Sequence, residues 1–179
     1  LLSPYRQKTD TGVNALNERI RLQINPPDAS KKEVVLGKRT FRVGDKVMQT
    51  KNREDINNGD VGYITEISGS GSETVVKIDF GDGRIVEYDI TALGLLDLGY
   101  ASTIHKSQGS EYQSVIINLQ CAHAIMLVRP LIYTAITRAK ERVIIVGERR
   151  ALCIAIKKQD PEKRGTLLAQ RQIDFSDTI

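Results

Sequence analysis

The sequence predicts an α/β fold in which a parallel sheet with covering helices is interrupted by a small antiparallel β module. Three observations predict it. Val115-Ile116-Ile117-Asn118-Leu119 and Arg142-Val143-Ile144-Ile145-Val146-Gly147 are near-continuous β-branched runs, the pattern of strands covered on both faces of a parallel sheet. Between them Leu131, Ile132, Ala135 and Ile136 form a helical stripe that starts near Pro130, giving strand, helix, strand. From Gly59 to about Asp89 the texture changes to short alternating strands: Val61, Tyr63, Thr65 and Ile67, then Val76, Ile78 and Phe80, then Val86 and Tyr88 beyond Gly81-Asp82-Gly83.

The remaining elements follow in chain order. Leu1-Leu2 running into Ser3-Pro4 reads as the end of a buried strand leaving into a loop. Thr9 and Asp10 are candidate caps of a helix whose stripe is Val13, Leu16, Ile20 and Ile24, and Pro26-Pro27 must stop it. A loop with a short strand at Val34-Val35-Leu36 comes next. Gly37-Lys38-Arg39-Thr40 only superficially suggests a phosphate loop, because Lys32 and Arg39 stand where that motif needs Gly and Ser or Thr.

A chain of 179 residues with 40% hydrophobic content can bury one full core with room for a small inserted module. The net charge of +4 leans towards a polyanionic partner, but 26 bases against 22 acids do not by themselves name nucleic acid. The charge is unevenly spread. Between Glu54 and Asp97 ten acids face two bases, Lys77 and Arg84, so this module repels phosphate except through a local face or its neutral tip at Gly69-Ser70-Gly71-Ser72. From Arg138 to Arg164 nine bases face four acids, which puts the basic surplus at the C-terminal end, as a solvated helix face or a nucleic-acid-facing patch. Cys121 and Cys153 have no thiol or histidine at metal-ligand spacing nearby, and read as reduced core residues. No run approaches the roughly 18 apolar residues of a membrane span and there is no signal-peptide layout, so a cytoplasmic protein is expected. The opening Leu1-Leu2-Ser3-Pro4, without Met, leads to the expectation that the chain begins inside a longer protein.

Two stretches carry chemistry. Gly99 to Tyr112 packs polar groups between two apolar runs, where packing alone would want a short turn; Gly109 permits close backbone approach, while Thr103, His105, Gln108 and Glu111 each offer a donor or acceptor. In Tyr133-Thr134-Ala135-Ile136-Thr137-Arg138-Ala139-Lys140, Arg138 stands between an apolar helix and a buried strand. Its fixed, forked guanidinium suits a phosphate, and equally suits the carbonyls at a helix C-terminus.

These two stretches resemble motifs V and VI of superfamily 1 helicases, and Leu2-Ser3-Pro4-Tyr5-Arg6 resembles motif IV. Phe41 to Asn52, followed by Asn58-Gly59-Asp60-Val61-Gly62, is similar to the RecD/TraA branch in particular. The resemblance covers nearly the whole chain, apart from about the last fifteen residues. It implies a second RecA-like, P-loop NTPase-type motor domain without its own Walker motifs, interrupted by a small SH3-like barrel: 1–58 as its first part, 59–92 as the insertion, 93–179 as its second part with a basic tail. Arg138 then matches the arginine finger and Arg6 the motif IV arginine that joins it at the γ-phosphate. Gly109 and Glu111 match the pair beside the nucleotide. Thr103 and His105 match positions facing single-stranded DNA, Gln49, Thr50 and Asn52 fall where the family holds the DNA backbone, and Lys106 and Gln108 suit either ligand. ATP and Mg²⁺ would be bound mainly by a first motor domain, which alone carries the phosphate loop and the metal-binding acid, so this part is expected to be inactive alone. The intact protein is expected to hydrolyse ATP and travel 5′ to 3′ on single-stranded DNA, with nuclease or helicase subunits as candidate partners. A conjugative relaxase-helicase and a non-catalytic nucleic-acid-binding module are the alternatives.

Overall fold

The computed structural model describes residues 1–7, 10–53 and 55–158. The candidate cap Thr9, the acid Glu54 and the basic tail beyond Lys158 lie outside them. In chain order the elements are β1 (Leu2–Ser3), α1 (Val13–Ile24), β2 (Glu33–Leu36), β3 (Arg39–Arg42), β4 (Lys46–Gln49), β5 (Val61–Ser68), β6 (Val75–Asp79), β7 (Ile85–Asp89), β8 (Leu96–Leu98), β9 (Ser102–Thr103), β10 (Tyr112–Leu119), α2 (Arg129–Ile136), β11 (Ala139–Gly147) and α3 (Arg149–Lys157).

The two β-branched runs pair in parallel, Val115 beside Val143 through Leu119 beside Gly147. They belong to a four-stranded parallel sheet of order β11-β10-β1-β9. One face of β10 supplies Val115, Ile117 and Leu119 to a core closed by Leu131, Ile132 and Ala135 of α2 and Ala151 and Ala155 of α3. Strand, helix, strand is therefore the observed order. The expectation that both runs are covered on both faces fails: Val143, Ile144, Ile145 and Val146 of β11, which lies at the sheet edge among the described residues, are 36–51% exposed, and Ile116 on the second face of β10 is 36% exposed.

The antiparallel module is a five-stranded sheet of order β7-β6-β5-β4-β8, around a second core that includes Val47, Ile64, Val76, Ile78, Tyr88 and Leu96. Its first and last strands in the chain, β4 and β8, reach beyond residues 59–92 on both sides. The alternation in β5 is displaced: Tyr63 faces solvent while Gly62 and Ile64 face inward, and a bulge between Ile64 and Glu66 returns Ile67 to the core. The hairpin of β2 and β3 turns at Gly37, whose φ of +60° explains the glycine that superficially suggested a phosphate loop.

Helix α1 spans the expected residues and is capped at Gly12 rather than by Asp10. Its buried face is not the apolar stripe. Ile24 is exposed, and the inward positions are Val13, Asn17 and Arg21, continued by Asn25. Each is held by hydrogen bonds: Asn17 exchanges two with the backbone of Ala101, Arg21 donates to the Thr40 carbonyl, and Asn25 donates to the buried carboxylate of Asp45 at 2.8 Å. Asp45 also accepts from the Arg42 amide and lies 3.6 Å from Arg21, so a charge-compensated cluster seats α1 against both sheets. Both cysteines are free, but Cys153 is exposed on α3 rather than in a core, and Cys121 is half-buried.

Candidate functional site

The parallel pairing of β10 with β11 decides the first grouping. Tyr112 N–H donates to the Arg138 carbonyl at 2.8 Å, so the turn before β10 and the turn before β11 lie side by side. The Arg138 guanidinium crosses between them. It donates through Nη1 to the Ser110 carbonyl, through Nε to the Thr134 carbonyl at the end of α2, and through Nη2 to Thr137 Oγ1, each at 3.2 Å. All three acceptors are neutral, and no carboxylate pairs with Arg138 among the described residues. Gly109, one residue before Ser110, has φ +85° and open space where a Cβ would stand, so a ligand's approach to this backbone meets no obstruction. Glu111 completes the group, exposed and paired with Lys140 at 3.1 Å. The arrangement offers an anionic group an unneutralised guanidinium beside accessible backbone.

The turn from Thr103 to Ser110 is built from its own side chains. Thr103 Oγ1 accepts from the Lys106 amide, and the buried Ser107 hydroxyl donates to the Ile104 carbonyl at 2.7 Å. Ile104 is driven into the core, which leaves His105 and Gln108 pointing to solvent. Ser107 is therefore the residue whose structural part the sequence did not disclose.

Arg6 sits in a different group. It pairs with Asp97 of β8 at 2.7 Å, on the rim of a cavity of about 450 Å³ also lined by Lys38, Arg39, Thr103 and Lys106. The structure brings Arg6 to Asp97 rather than to Arg138.

The three candidates near residue 50 separate. Gln49 is fully buried, with Oε1 accepting from the Tyr88 hydroxyl at 3.0 Å, and this removes it from any surface that could hold a DNA backbone. Thr50 is half-buried, donating through both its amide and its hydroxyl to the Leu95 carbonyl. Asn52 is exposed and accepts from the Asn58 amide.

His123 is a further group that periodicity could not single out. It is fully buried, its Nδ1 accepts from the Gln120 amide at 3.3 Å, its Nε2 lies 3.0 Å from Thr11 Oγ1, and Tyr5 packs edge-on at 5.5 Å. It thereby ties Thr11, and Tyr5 next to Arg6, to the end of β10. Burial holds the His123 pKa below its ordinary value, with Glu148 opposing. The unfolded chain then takes up a proton near pH 6.5 that the folded imidazole refuses, so this contribution to stability is present at neutral pH and is lost as pH falls from about 6.5. The melting temperature is expected to drop between pH 7 and 5.5, with a shallower slope in His123→Gln; equal slopes would remove His123 as the cause.

Residues 16–80 match the family described as ATP-dependent RecD-like DNA helicase SH3 domain, and residues 98–146 match the UvrD-like helicase C-terminal domain. The ATP-dependent RecD2 DNA helicase of Deinococcus radiodurans is 38% identical over 173 residues, which are 96% of this chain and 23% of that protein. The RecBCD enzyme subunit RecD of Mycolicibacterium smegmatis is 34% identical over 67% of this chain and 21% of its own length. The conjugal transfer protein TraA of Agrobacterium fabrum is 35% identical over 59% of this chain and 9% of its own. The chain thus spans under a quarter of the length of these relatives. Among solved structures, the Pif1 helicase from Candida albicans superimposes with a TM-score of 0.57 at 16% identity, covering 99% of this chain and 49% of that one. Pif1 helicase from Bacteroides in complex with ADP-AlF3 and ssDNA gives 0.53 at 20% identity, covering 99% and 44%. At these identities the likeness to the solved structures is one of fold.

Proposed function

Because the chain belongs to the RecD-like family of superfamily 1 DNA helicases and covers its C-terminal region, we propose that it is the second motor domain, with its SH3-like insertion, of an ATP-dependent 5′ to 3′ DNA helicase. The observation that carries this reading is the side-by-side placement of Gly109, Ser110 and Glu111 with Arg138 at the ends of two paired parallel strands. A module that only bound nucleic acid would have little use for Gly109, Glu111 and Arg138 together, since an exposed carboxylate beside the arginine repels a phosphate backbone. The full-chain match to the RecD2 helicase favours a helicase of that kind over the relaxase alternative, since the likeness to the conjugal transfer protein covers a smaller part of the chain.

In this reading ATP with its Mg²⁺, held mainly by a first motor domain, supplies the bond whose cleavage drives the motor. The chain's own residues act from across the cleft. Arg138 aims its fork at charge that develops on the transferring phosphoryl group, Gly109 lets the backbone approach, and Glu111 accepts from the sugar by exchanging its exposed partner Lys140. Arg6 joins Arg138 only by leaving Asp97. His105, Gln108, Thr103, Thr50 and Asn52 line the single-strand side, and Lys106 on the cavity rim suits a DNA phosphate better than a nucleotide. Single-stranded DNA, the first motor domain and, by the RecBCD relatives, nuclease-complex subunits are the proposed partners.

The purified chain is expected to show no ATP turnover, with or without single-stranded DNA, because no phosphate loop is present in its sequence. It is expected to bind single-stranded DNA weakly. With about three phosphate contacts the log–log salt slope is near −2, so affinity falls roughly 20-fold between 50 and 200 mM salt. Measurable turnover, or affinity indifferent to salt, would overturn the reading.

A further inference from the structure

Asp97 is the meeting point of three cations from three separate segments. Arg6 Nη2 lies 2.7 Å from Oδ2, Arg39 Nη1 lies 3.2 Å from Oδ1, and Lys106 Nζ lies 3.7 Å from Oδ2. The three are not equivalent. Arg39 is fixed by a second bond, donating to the Leu96 carbonyl at 2.6 Å, whereas Arg6 is half exposed and reaches Asp97 across 91 positions of sequence. If Arg6 leaves, Arg39 and Lys106 still compensate the carboxylate. Its departure therefore strands no charge on Asp97, and the contact is one that can be exchanged.

A carboxylate and a phosphate present the same kind of oxygen pair to a guanidinium. Asp97 thus occupies on Arg6 the contact that a phosphate would otherwise make. Asp97 also stands on the strand that the proposed DNA-contact segment leans on. In the β4–β8 ladder Asp97 is the partner of Met48 and Leu96 the partner of Gln49, and Thr50 donates twice to the Leu95 carbonyl, two residues before Asp97. Thr50 and Asp97 are thus linked through the Leu95 carbonyl and the β4–β8 ladder.

We propose that Asp97 is a positioning residue that gates Arg6: it holds the arginine away from the nucleotide while the strand site is empty, and DNA bound at Thr50 displaces β8 so that Arg6 is released. The insertion thereby makes turnover depend on DNA. This rests on the reading of Arg6 as a nucleotide-facing residue.

The test compares ATP turnover of the intact protein, with and without saturating oligo(dT), for wild type, Asp97→Asn, Asp97→Glu and Arg6→Ala. Asp97→Asn is expected to raise DNA-free turnover about fivefold, the upper end of what an exposed ion pair holds, and to change DNA-saturated turnover less than about twofold. The stimulation ratio falls accordingly, and Asp97→Glu restores it. An unchanged ratio, or a parallel fall of both rates with a lowered melting temperature, leaves Asp97 a structural residue and overturns the gate. Arg6→Ala separates the two levels. If it abolishes turnover while Asp97→Asn leaves the ratio unchanged, the gate alone fails; if it leaves turnover intact, the assignment of Arg6 fails and the gate with it.

Discussion

Replacing Arg138 with Ala in the intact protein is expected to lower turnover by about 10³-fold or more while leaving nucleotide and DNA binding nearly unchanged. The expectation rests on what surrounds the guanidinium. Its three hydrogen bonds go to two carbonyls and a hydroxyl, so it is oriented without being neutralised, and a phosphate would be its first counter-charge. Ground-state contacts to base, sugar and metal lie elsewhere in the proposed arrangement, which confines the loss to the transition state. The same geometry states the rival clearly, because the bond from Nε to the Thr134 carbonyl is that of an arginine closing a helix C-terminus. Loss of a cap costs about 1 kcal/mol or less of stability and leaves the rate of the folded enzyme alone. Measuring kcat and melting temperature together therefore decides the matter. Lys should rescue poorly, since a point charge cannot bridge Ser110 and Thr134 and still present a fork. Normal turnover with a lowered melting temperature would leave Arg138 a structural residue.

Gly147→Ala is expected to destabilise the chain by roughly 3–5 kcal/mol, a large part of the 5–15 kcal/mol that holds a typical domain together. Gly147 has φ +129°, a conformation that side chains rarely adopt, and an added Cβ would lie 1.9 Å from the Leu119 carbonyl oxygen. That oxygen is backbone and already accepts from the Glu148 amide at 2.9 Å, so neither partner can yield cheaply. Moving it also disturbs Glu148, whose carboxylate accepts from the Cys121 amide at the start of the turn that seats His123. The midpoint of chemical denaturation is the measurement. A loss below about 1 kcal/mol would mean that the end of β11 relaxes freely and that the close approach is not required.

The α/β class, the β10–α2–β11 unit and the polar turn from Thr103 to Glu111 were legible in the sequence, because each depends on local information. Continuous β-branched runs, a helical stripe after a proline and a cluster of donors between two apolar segments all report on neighbours a few positions apart. The adjacency of Arg138 to Ser110 was decided by the structure, where β10 and β11 pair directly and bring their preceding turns together. What failed were inferences about which face is covered and by what. Helix α1 buries Asn17, Arg21 and Asn25, which no hydrophobic period marks, because their partners Ala101, Thr40 and Asp45 lie 84, 19 and 20 positions away. Gln49 is buried against Tyr88, 39 positions away, and β11 lies at the sheet edge, a place that depends on strand order rather than on its own residues. Arg6 shows the division most clearly: its motif was readable in five consecutive residues, but its partner is Asp97. A salt bridge across 91 positions leaves no periodic trace in either segment, since it is made by the closing of the fold and not by any local preference of the chain.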